Sequence, residues 1–374
     1  MNRKNICEIC TLIMGQSPDS KSYNKDKNGI PFYQGNADFG EEHPTPTVWC
    51  TAPKKIARKG DILISVRAPI GDMNIANEDC CIGRGLAAIR LNKSDIVDIN
   101  YLYHYLSATV EFLQEQGTGS TFKAINKTTL EGIEIPCPSI EKQKNIAKLI
   151  IEIKTSIQYK KAELFALNEL VKSRFIEMFG DPLSNSKGYD LSDYGSLFEL
   201  NAGGTPSKNK PEYWENGNIS WIGSNMCQDT ILYENDGKYI TELGFNNSSA
   251  RMFPKNTVLV ALVGATIGKT ALLKFETTTN QNVLGIRGIE ESGNNPYFVF
   301  YYTQGLHKFF MDISDGGFAM ASKGFISKLP FPIVDISLQN DFADFVKLID
   351  KSKFVGYFTL NIFYVKSSHF HHPP

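Results

Sequence analysis

Hydrophobic residues follow two different periods along this chain. Short β-branched runs, such as residues 61–66 and 258–263, are typical of strands, and Gly and Asn residues separate them. Amphipathic patterns that favour helices follow these runs, at residues 101–116 and 296–312. Both halves of the chain therefore predict mixed α and β structure.

The longest periodic segment runs from Ser139, a candidate N-cap, to Phe179, and Gly-Asp-Pro at 180–182 predicts its end. At 1.5 Å per residue, this helix would span roughly 60 Å. A helix packed into the core of one domain is the alternative to a coiled coil. Apolar residues recur at alternating spacings of four and three, interrupted only by Lys160 and Arg174, which is the pattern of a coiled-coil seam. They are Ile146, Ile150, Ile153, Ile157, Leu164, Leu167, Val171 and Met178.

The start of the same pattern returns at Ser337, Leu338, Gln339, Phe342, Phe345, Val346, Leu348 and Ile349. It is lost after Lys353, because residues 354–365 are aromatic and β-branched without a heptad. We expect residues 354–374 to fold irregularly or not at all, and the histidine-containing end, 367–374, to be an unstructured tail rather than a metal site. The second half of the first seam would then lack a partner within the chain, at Leu164, Leu167, Val171 and Met178.

The order of motifs in the first part of the chain returns in the second part. The matching segments are 15–18 (GQSP) and 203–206 (GGTP), 30–35 and 218–223, both at an offset of 188, then 60–71 and 257–268 at an offset of 197, and the closing Pro-x-Pro sequences 136–138 and 330–332. A period of this length far exceeds that of stacked repeats and indicates a duplicated domain.

These patterns together predict an α+β fold. Two similar mixed α/β domains, residues 1–138 and 182–334, are separated by long helices that form an antiparallel coiled coil. The helical segments are 139–181 and 335–374, the second truncated or divergent after about residue 353.

The composition narrows the class of protein. With 374 residues, 42% hydrophobic and 11% aromatic, the chain has room for two or three folded domains. A net charge of −1 gives no whole-chain sign of nucleic-acid binding, so any basic surface must be local. The sequence shows no signal peptide and no apolar run of the roughly 20 residues that a membrane span needs, which predicts a cytoplasmic protein.

The seven irregularly spaced cysteines indicate reduced thiols. Cys7, Cys10, Cys80 and Cys81 offer a possible zinc site. The second copy has no ligands opposite Cys7 and Cys10, however, and a structural zinc needs four. Buried cysteine is therefore the favoured interpretation.

Several motifs carry a family resemblance, which extends to about residue 353. GGTPS at 203–207, with PEYW at 211–214 and ISWI at 219–222, resembles the opening of a target recognition domain. LVKSRFIEMFG at 170–180 resembles the end of a central conserved helix. The two Pro-x-Pro sequences, with Glu141, Gln143 and Gln339, resemble the entries into two such helices. In these features the chain resembles the specificity subunit of Type I restriction-modification enzymes.

This resemblance implies a DNA-reading scaffold that catalyses nothing. Each target recognition domain would read one half-site of a bipartite target in double-stranded DNA, and the helices would set the gap between half-sites. The helices would also dock two methyltransferase subunits and, through them, the restriction subunits. The partner subunits would use S-adenosylmethionine, ATP and Mg²⁺, with no cofactor on this chain and no membrane. A truncated or silent member of the family is an alternative.

One motif favours a free-standing nucleotide-using enzyme instead. Residues 264–270 (GATIGKT) resemble a phosphate-binding P-loop, but three residues rather than four separate the first glycine from Gly268. The matching stretch of the first copy, 67–72, has no lysine after Gly71. A turn with a DNA-facing lysine is the favoured interpretation.

Base readers are expected among polar and cationic loop side chains, since Arg, Asn and Gln distinguish base edges in the major groove. Core packing and DNA contact are both open for Tyr33 and Trp221. Lys123 and Lys323, which precede the Pro-x-Pro sequences, are expected to hold phosphates. The other candidates are Gln16, Ser17, Lys21, Gln34, Asn36, Arg67 and Arg84 in the first domain, and Thr205, Ser207, Lys208, Lys210, Tyr213, Ser224, Asn225, Lys269 and Gln281 in the second.

Overall fold

The computed structural model describes residues 2–118, 123–288, 293–314 and 320–368. The chain divides into two compact units, Met1–Lys160 with Leu360–Pro374, and Lys161–Thr359. Within the described ranges, no helix is long and apolar enough to cross a membrane. The tail predicted at 367–374 lies outside the described residues from residue 369 onward.

Module 1, residues 1–138, belongs to the first unit. Its elements are β1 (Arg3–Asn5), α1 (Ile6–Ile9), β2 (Cys10–Met14), β3 (Tyr23–Asn24), β4 (Ile30–Tyr33), β5 (Trp49–Cys50), β6 (Ile56–Ala57), β7 (Ile62–Ser65), β8 (Met73–Ile75), β9 (Cys80–Ile82), β10 (Leu86–Leu91), α2 (Ile99–Ala108), α3 (Val110–Glu115), α4 (Lys127–Glu131) and β11 (Glu134–Pro136). The long helix α5 (Ile140–Phe179) follows.

Module 1 contains two main sheets and a separate strand pair. The first sheet has the antiparallel order β2-β10-β7-β8, and the second has the order β3-β5-β4-β9-β6, in which β4 and β9 are parallel. Ile62 and Ile64 of β7 pack with Leu102 of α2, whereas Leu63 packs with Tyr33 of the second sheet. Because β7 is buried on both faces, three of its four residues, 62–64, are apolar. The separate pair joins β1 to β11, so the first and last strands of the module are neighbours.

Module 2, residues 182–334, belongs to the second unit. Its elements are β12 (Leu191–Asp193), α6 (Tyr194–Leu197), β13 (Phe198–Ala202), β14 (Ile219–Ile222), β15 (Thr230–Leu232), β16 (Tyr239–Ile240), α7 (Glu242–Asn246), β17 (Met252–Phe253), β18 (Val258–Ala261), β19 (Thr270–Leu273), β20 (Thr277–Thr279), β21 (Val283–Gly288), α8 (Pro296–Gly305), α9 (His307–Ser314), α10 (Lys323–Ser327) and β22 (Pro330–Pro332). The helix α11 (Ile336–Ser368) follows.

The sheets of module 2 follow the plan of module 1, with β15 added to the first sheet and four described strands in place of five in the second. Their orders are β13-β21-β18-β19-β15 and β16-β14-β20-β17, with β14 and β20 parallel, and β12 pairs with β22 as β1 pairs with β11. The predicted strands at 61–66 and 258–263 are confirmed as β7 and β18. The predicted helices at 101–116 and 296–312 are each divided in two, at Thr109 and Leu306.

The duplication extends to individual hydrogen bonds. The Gly15 and Gly203 N–H groups donate to the carbonyls of Leu86 and Val283, at 2.9 and 3.1 Å. The predicted offset of 188 is therefore correct for the GQSP and GGTP loops.

The predicted offset is wrong by one residue in the next strand. Phe32 pairs with Cys81 in module 1, and Trp221 pairs with Thr278 in module 2. Trp221 therefore corresponds to Phe32, 189 positions earlier, and not to Tyr33. Side chains alternate across a strand, so this shift exchanges the two faces.

The register of β7 and β18 also differs from the prediction. Ile62 lies opposite Ile89, and Val258 lies opposite Ile286, which gives an offset of 196 in place of 197. The turn after β18 contains the additional residue. A one-residue loop insertion changes the offset without disturbing either hydrophobic pattern.

A buried glutamine joins module 1 to α5. Gln143 Nε2 donates to the carbonyls of Ile96 (2.9 Å) and Pro138 (2.8 Å), and its Oε1 accepts from the Asp98 N–H (2.9 Å). Asp98 is the N-cap of α2. One side chain therefore links the start of α2, the preceding loop and the Pro-x-Pro turn before α5.

Gln339 makes the same joint between module 2 and α11. Its Oε1 accepts from the N–H of Asn295, the N-cap of α8, at 2.9 Å. Its Nε2 donates to the Val334 carbonyl at 2.9 Å and to Asn294 Oδ1 at 3.1 Å. Both glutamines are buried, so their hydrogen bonds satisfy backbone groups that are shielded from solvent.

The bounds of α5 agree with its sequence pattern. Ser139 Oγ accepts from the Lys142 N–H at 3.4 Å, the contact expected of an N-cap. The helix ends at Phe179, and Gly180 adopts a left-handed φ of 80°, which suits glycine. Ala147 lies in the core of module 1, and Val171 lies in the core of module 2. The alternative of a helix buried in the core of one domain is therefore wrong.

Helices α5 and α11 pack antiparallel within the second unit. The ring centroids of Phe175 and Phe342 are 5.3 Å apart. Further along α11, a Cβ placed on Gly356 would lie 3.1 Å from Leu164. Residue numbers thus increase along α11 in the direction in which they decrease along α5.

The expectation of irregular structure after Lys353 is wrong for the described residues, since α11 continues to Ser368. The segment contains no proline before residue 373, and aromatic and β-branched residues lower helix propensity by less than about 1 kcal/mol each. Leu164 and Val171 are buried, and Leu167 and Met178 pack against the same core. The chain itself therefore covers the second half of the α5 seam.

We predict that Gln339→Ala will destabilise the protein by about 1–3 kcal/mol for each buried group left unpaired. The variant leaves the Asn295 N–H and the Val334 carbonyl without their hydrogen-bond partner. Denaturant unfolding of the full chain measures the change. Asn340→Ala is the control, because this exposed neighbour loses one hydrogen bond, to Asn295. Equal effects of the two substitutions would contradict the role assigned to Gln339.

Candidate nucleic-acid interface

The carboxyl ends of the parallel strands β4 and β9 meet at one edge of module 1. Gln34 follows β4, and Arg84 lies two residues after β9. The preceding loop reaches this edge because the Gln16 N–H donates to the Ile82 carbonyl at 3.0 Å. Ser17 Oγ then donates to Gln34 Oε1 at 2.9 Å and accepts from the Arg84 N–H at 3.3 Å. The structure brings these three predicted readers together, with Gln34 and Arg84 exposed.

Two further predicted cations border this cluster. The Val66 N–H donates to the Gly85 carbonyl at 2.9 Å, which brings the end of β7 beside Arg84. Arg67 pairs through its backbone with Ala124, the residue after Lys123. Both cationic side chains are exposed.

Asn36 completes the cluster through a residue that the sequence did not single out. Its Nδ2 donates to Asp72 Oδ2 at 2.6 Å, so Asp72 fixes the orientation of the amide. Edge 1 is the surface formed by Ser17, Gln34, Asn36, Arg67, Arg84 and Lys123.

Module 2 forms the same hydroxyl–glutamine contact from a different strand. Thr205 occupies the position of Ser17, and its Oγ1 donates to Gln281 Oε1 at 2.6 Å. Gln281 follows β20, whereas Gln34 follows β4. The register places Gly223 at the position of Gln34 and Gln281 at the position of Arg84. The two modules therefore build one contact from non-equivalent residues.

Polar residues extend this cluster in module 2. Lys269 Nζ donates to Gln228 Oε1 at 2.9 Å, and Gln228 Nε2 donates to the Asn225 carbonyl at 3.1 Å. A Cβ placed on Gly223 would lie 2.5 Å from Asn225 Oδ1 and 3.7 Å from Asn280 Nδ2. Gln228 and Asn280 were missed by the sequence analysis, although the amide run 280–282 was a usable signal.

The loop after Thr205 adds exposed cations. Lys210 Nζ donates to the Tyr213 hydroxyl at 2.9 Å, and this hydrogen bond raises the pKa of Lys210. The Tyr213 ring is buried, so Tyr213 positions the exposed lysine and is not itself a candidate for DNA contact. Edge 2 is the surface formed by Thr205, Ser207, Lys208, Lys210, Ser224, Asn225, Gln228, Lys269, Asn280 and Gln281.

Tyr33 and Trp221 are core residues, so their interpretation as base readers is wrong. Tyr33 is 0% exposed, and burial raises the pKa of its hydroxyl. Trp221 is 7% exposed, and its Nε1 donates to the Gly204 carbonyl at 3.2 Å. The indole thereby holds the loop that carries Thr205.

The remaining candidates lie outside these contacts. Gln16 is exposed beside Ser17, and Lys21 lies in the short 3-10 helix Ser20–Ser22. Lys323 begins α10, and its counterpart is Lys127, which begins α4, rather than Lys123.

The stretch that resembles a P-loop is a turn between β18 and β19. The N–H groups of Ile267, Gly268 and Lys269 donate to carbonyls within the turn and of Ala261, at 2.8–3.0 Å. A P-loop needs such N–H groups free for phosphate oxygens. This turn therefore serves to hold Lys269 at edge 2.

The four thiols considered as zinc ligands do not converge. Cys80 and Cys81 point to opposite faces of β9 and belong to different core clusters. Cys10 lies in a third cluster, and Cys7 is exposed. Among residues of described position, no group of three or more His, Cys, Asp or Glu side chains is arranged to hold a metal ion.

Comparison with known proteins finds one family model that matches the chain twice, in agreement with the two-module architecture. A family model described as the Type I restriction modification DNA specificity domain matches residues 1–169 and again 186–354. The chain therefore belongs to the family of Type I restriction-modification DNA specificity proteins. The two matches include all of module 1, module 2 from residue 186 onward and most of α5.

Individual relatives are similar over different extents. The MjaX protein of Methanocaldococcus jannaschii is 49% identical over 152 residues, which are 41% of this chain and only 36% of that protein. The Type I restriction enzyme MjaIX specificity subunit of the same archaeon is 25% identical over 328 residues, 79% of this chain and 74% of that protein. The crystal structure of the S subunit from M. genitalium aligns with a TM-score of 0.62 at 15% identity, over 99% of this chain and 94% of that one, and shows the same fold.

We predict that Gly203→Ala will destabilise module 2 by about 1–3 kcal/mol, as overpacking does. A Cβ there would lie 2.5 Å from the Thr279 carbonyl oxygen and 2.6 Å from that of Asn280, and backbone atoms cannot rotate away. Thermal unfolding measures the loss. Gly324→Ala is the matched control, since its Cβ meets nothing closer than 3.8 Å and alanine favours the helix. A Gly203 variant as stable as this control would contradict the packing assigned to the loop.

Proposed function

We propose that this chain is the DNA-reading subunit of a Type I restriction-modification complex and that each module reads one half-site of a bipartite target. One observation carries the proposal: both modules place a hydroxyl–glutamine pair among exposed cations at the carboxyl edge of their parallel strands. The family relationship supports the same role.

The chemistry of the two edges suits base recognition. The contacts at Gln34 and Gln281 use Oε1, so each amide nitrogen remains available to a base. Glutamine pairs with adenine, and arginine with guanine, in the major groove. Exposed Arg67, Lys123 and Lys208 supply the phosphate contacts that position a protein on the duplex.

The two long helices act as the scaffold in this proposal. They set the distance between half-sites, and their exposed faces dock two methyltransferase subunits, which recruit the restriction subunits. Phe165 and Ile176 of α5, 67% and 54% exposed, are three helical turns apart on one face and suit such docking. The partner subunits supply S-adenosylmethionine, ATP and Mg²⁺ chemistry, and this chain supplies specificity without catalysis. Its place of action is the cytoplasm.

The half-sites should respond independently to substitution. We predict that Gln34→Leu will alter base preference in one half-site only and that Gln281→Leu will alter it in the other, so each variant is the control for its counterpart. A good bidentate base contact provides about 1–3 kcal/mol of discrimination, which corresponds to roughly 5–150-fold. Methylome sequencing of a host that expresses each variant with matching subunits reads the outcome. A change in both half-sites from one substitution would exclude modular reading.

The scaffold role predicts a change in spacer length. One heptad inserted into α5 after Ile157, with a matching heptad in α11, adds about 10 Å of helix. The methylated motif should then gain roughly 3 base pairs between its half-sites, at about 3.4 Å per step. A heptad inserted into α5 alone is the control and should abolish methylation by breaking the pairing of the helices. An unchanged spacer in the doubly lengthened protein would show that the helices do not set it.

A further inference from the structure

An arginine of module 1 is held by a buried carboxylate. Arg90 of β10 donates from Nε to both oxygens of Asp61, at 3.0 and 3.2 Å, and from Nη2 to Oδ2 at 2.7 Å. Asp61 is 3% exposed. The contact raises the pKa of Arg90, because the carboxylate favours the charged guanidinium. This position in the fold therefore accepts a singly charged anion with two oxygens.

Module 2 keeps the arginine and lacks the carboxylate. Arg287 of β21 corresponds to Arg90, and Thr257 corresponds to Asp61, since the Ala76 and Leu273 N–H groups donate to the carbonyls of Asp61 and Thr257. Thr257 Oγ1 donates to the Pro254 carbonyl at 2.7 Å and so faces its own turn. Among described residues, no carboxylate oxygen lies within 4 Å of the Arg287 guanidinium.

Arg287 instead lines an open cavity with a volume of about 330 Å³. The other polar side chains at its wall are Glu199, Asn201, Arg251 and Thr257. Asn201 Oδ1 accepts from Arg251 Nη1 at 3.4 Å, and Asn201 Nδ2 donates to Glu199 Oε1 at 2.7 Å. Two guanidinium groups against one carboxylate leave a net charge of +1. That balance suits a singly charged oxyanion better than a doubly charged one.

We propose that Arg251 and Arg287 bind one phosphodiester group of the DNA backbone in this cavity. A phosphodiester carries one charge on two free oxygens, as the Asp61 carboxylate does, and guanidinium groups bind such oxygens in pairs. One wall of the cavity adjoins the loop of Thr205, because β13 carries Asn201 at that wall and leads directly into the loop. Arg287 lies toward the end of β21 that is farther from Gln281. The contact anchors module 2 to the duplex and reads no base. The proposal rests on the proposed DNA-reading function.

The test fills the cavity with the missing carboxylate. Thr257→Asp recreates the Asp61 side chain opposite Arg287, and Thr257→Asn, of the same shape without charge, is the matched control. DNA binding by the full chain is measured against salt concentration, on cognate and on unrelated duplexes. Loss of one phosphate contact lowers the slope of log K against log[salt] by about 0.9. We expect this decrease for Thr257→Asp and for Arg287→Gln, equally on both duplexes, and no decrease for Thr257→Asn.

The outcomes separate the anchor from the reading function. Thermal unfolding confirms that each variant is folded before its binding is compared. Sequence-specific binding with an unchanged slope in Thr257→Asp and Arg287→Gln overturns the anchor and leaves the reading function standing. Absence of sequence-specific binding by the unmodified chain with its methyltransferase subunits overturns the reading function itself. Binding of inorganic phosphate, followed by ³¹P NMR, with an unchanged DNA slope assigns the cavity to a free anion and also overturns the anchor.

Discussion

The buried glutamine at the head of each long helix is the contact on which the architecture depends. Gln143 and Gln339 each satisfy the cap of a module helix and the Pro-x-Pro turn before the long helix with one amide. In an interior of low dielectric constant, an unpaired amide or carbonyl is costly. A module therefore cannot swing about its own helix without breaking buried hydrogen bonds. The direction in which each edge faces, relative to the helix that follows it, is fixed by this joint.

The fold separates stability from recognition within each module. Both faces of β7 and β18 are buried, so the sheets bind the module together, while the loops beyond the parallel strands carry the polar side chains. Ser17 and Thr205 hold their glutamines before any ligand arrives. Side chains that are already ordered lose less entropy on binding. The non-equivalent origin of Gln34 and Gln281 shows that the arrangement, rather than the sequence position, is repeated.

The sequence predicted the features that depend on periodicity. It did not predict features that depend on a single residue of register or on contacts between distant residues. The heptad pattern of α5 and the strand runs at β7 and β18 are strong because many residues agree. Trp221 corresponds to Phe32 rather than to Tyr33. The hydropathy pattern does not reveal this one-residue shift, because Phe32 and Tyr33 are both hydrophobic. The helix after Lys353 forms against weak local propensity, with Gly356 set closely against Leu164. The contacts of Asp72 with Asn36 and of Gln228 with Lys269 join residues that are distant in sequence, so local patterns did not indicate them.

The pairing of the first and last strands brings the two chain ends of each module together. Arg3 lies opposite Pro136 in the β1–β11 pair, and Leu191 lies opposite Pro332 in the β12–β22 pair. The polypeptide thus enters and leaves a module at adjacent backbone positions, directly before a long helix. A gene segment that encodes another module with the same strand pair would join the helices without altering their sequence. Recombination between such genes can therefore exchange a whole module in one step and leave the helices on either side unchanged.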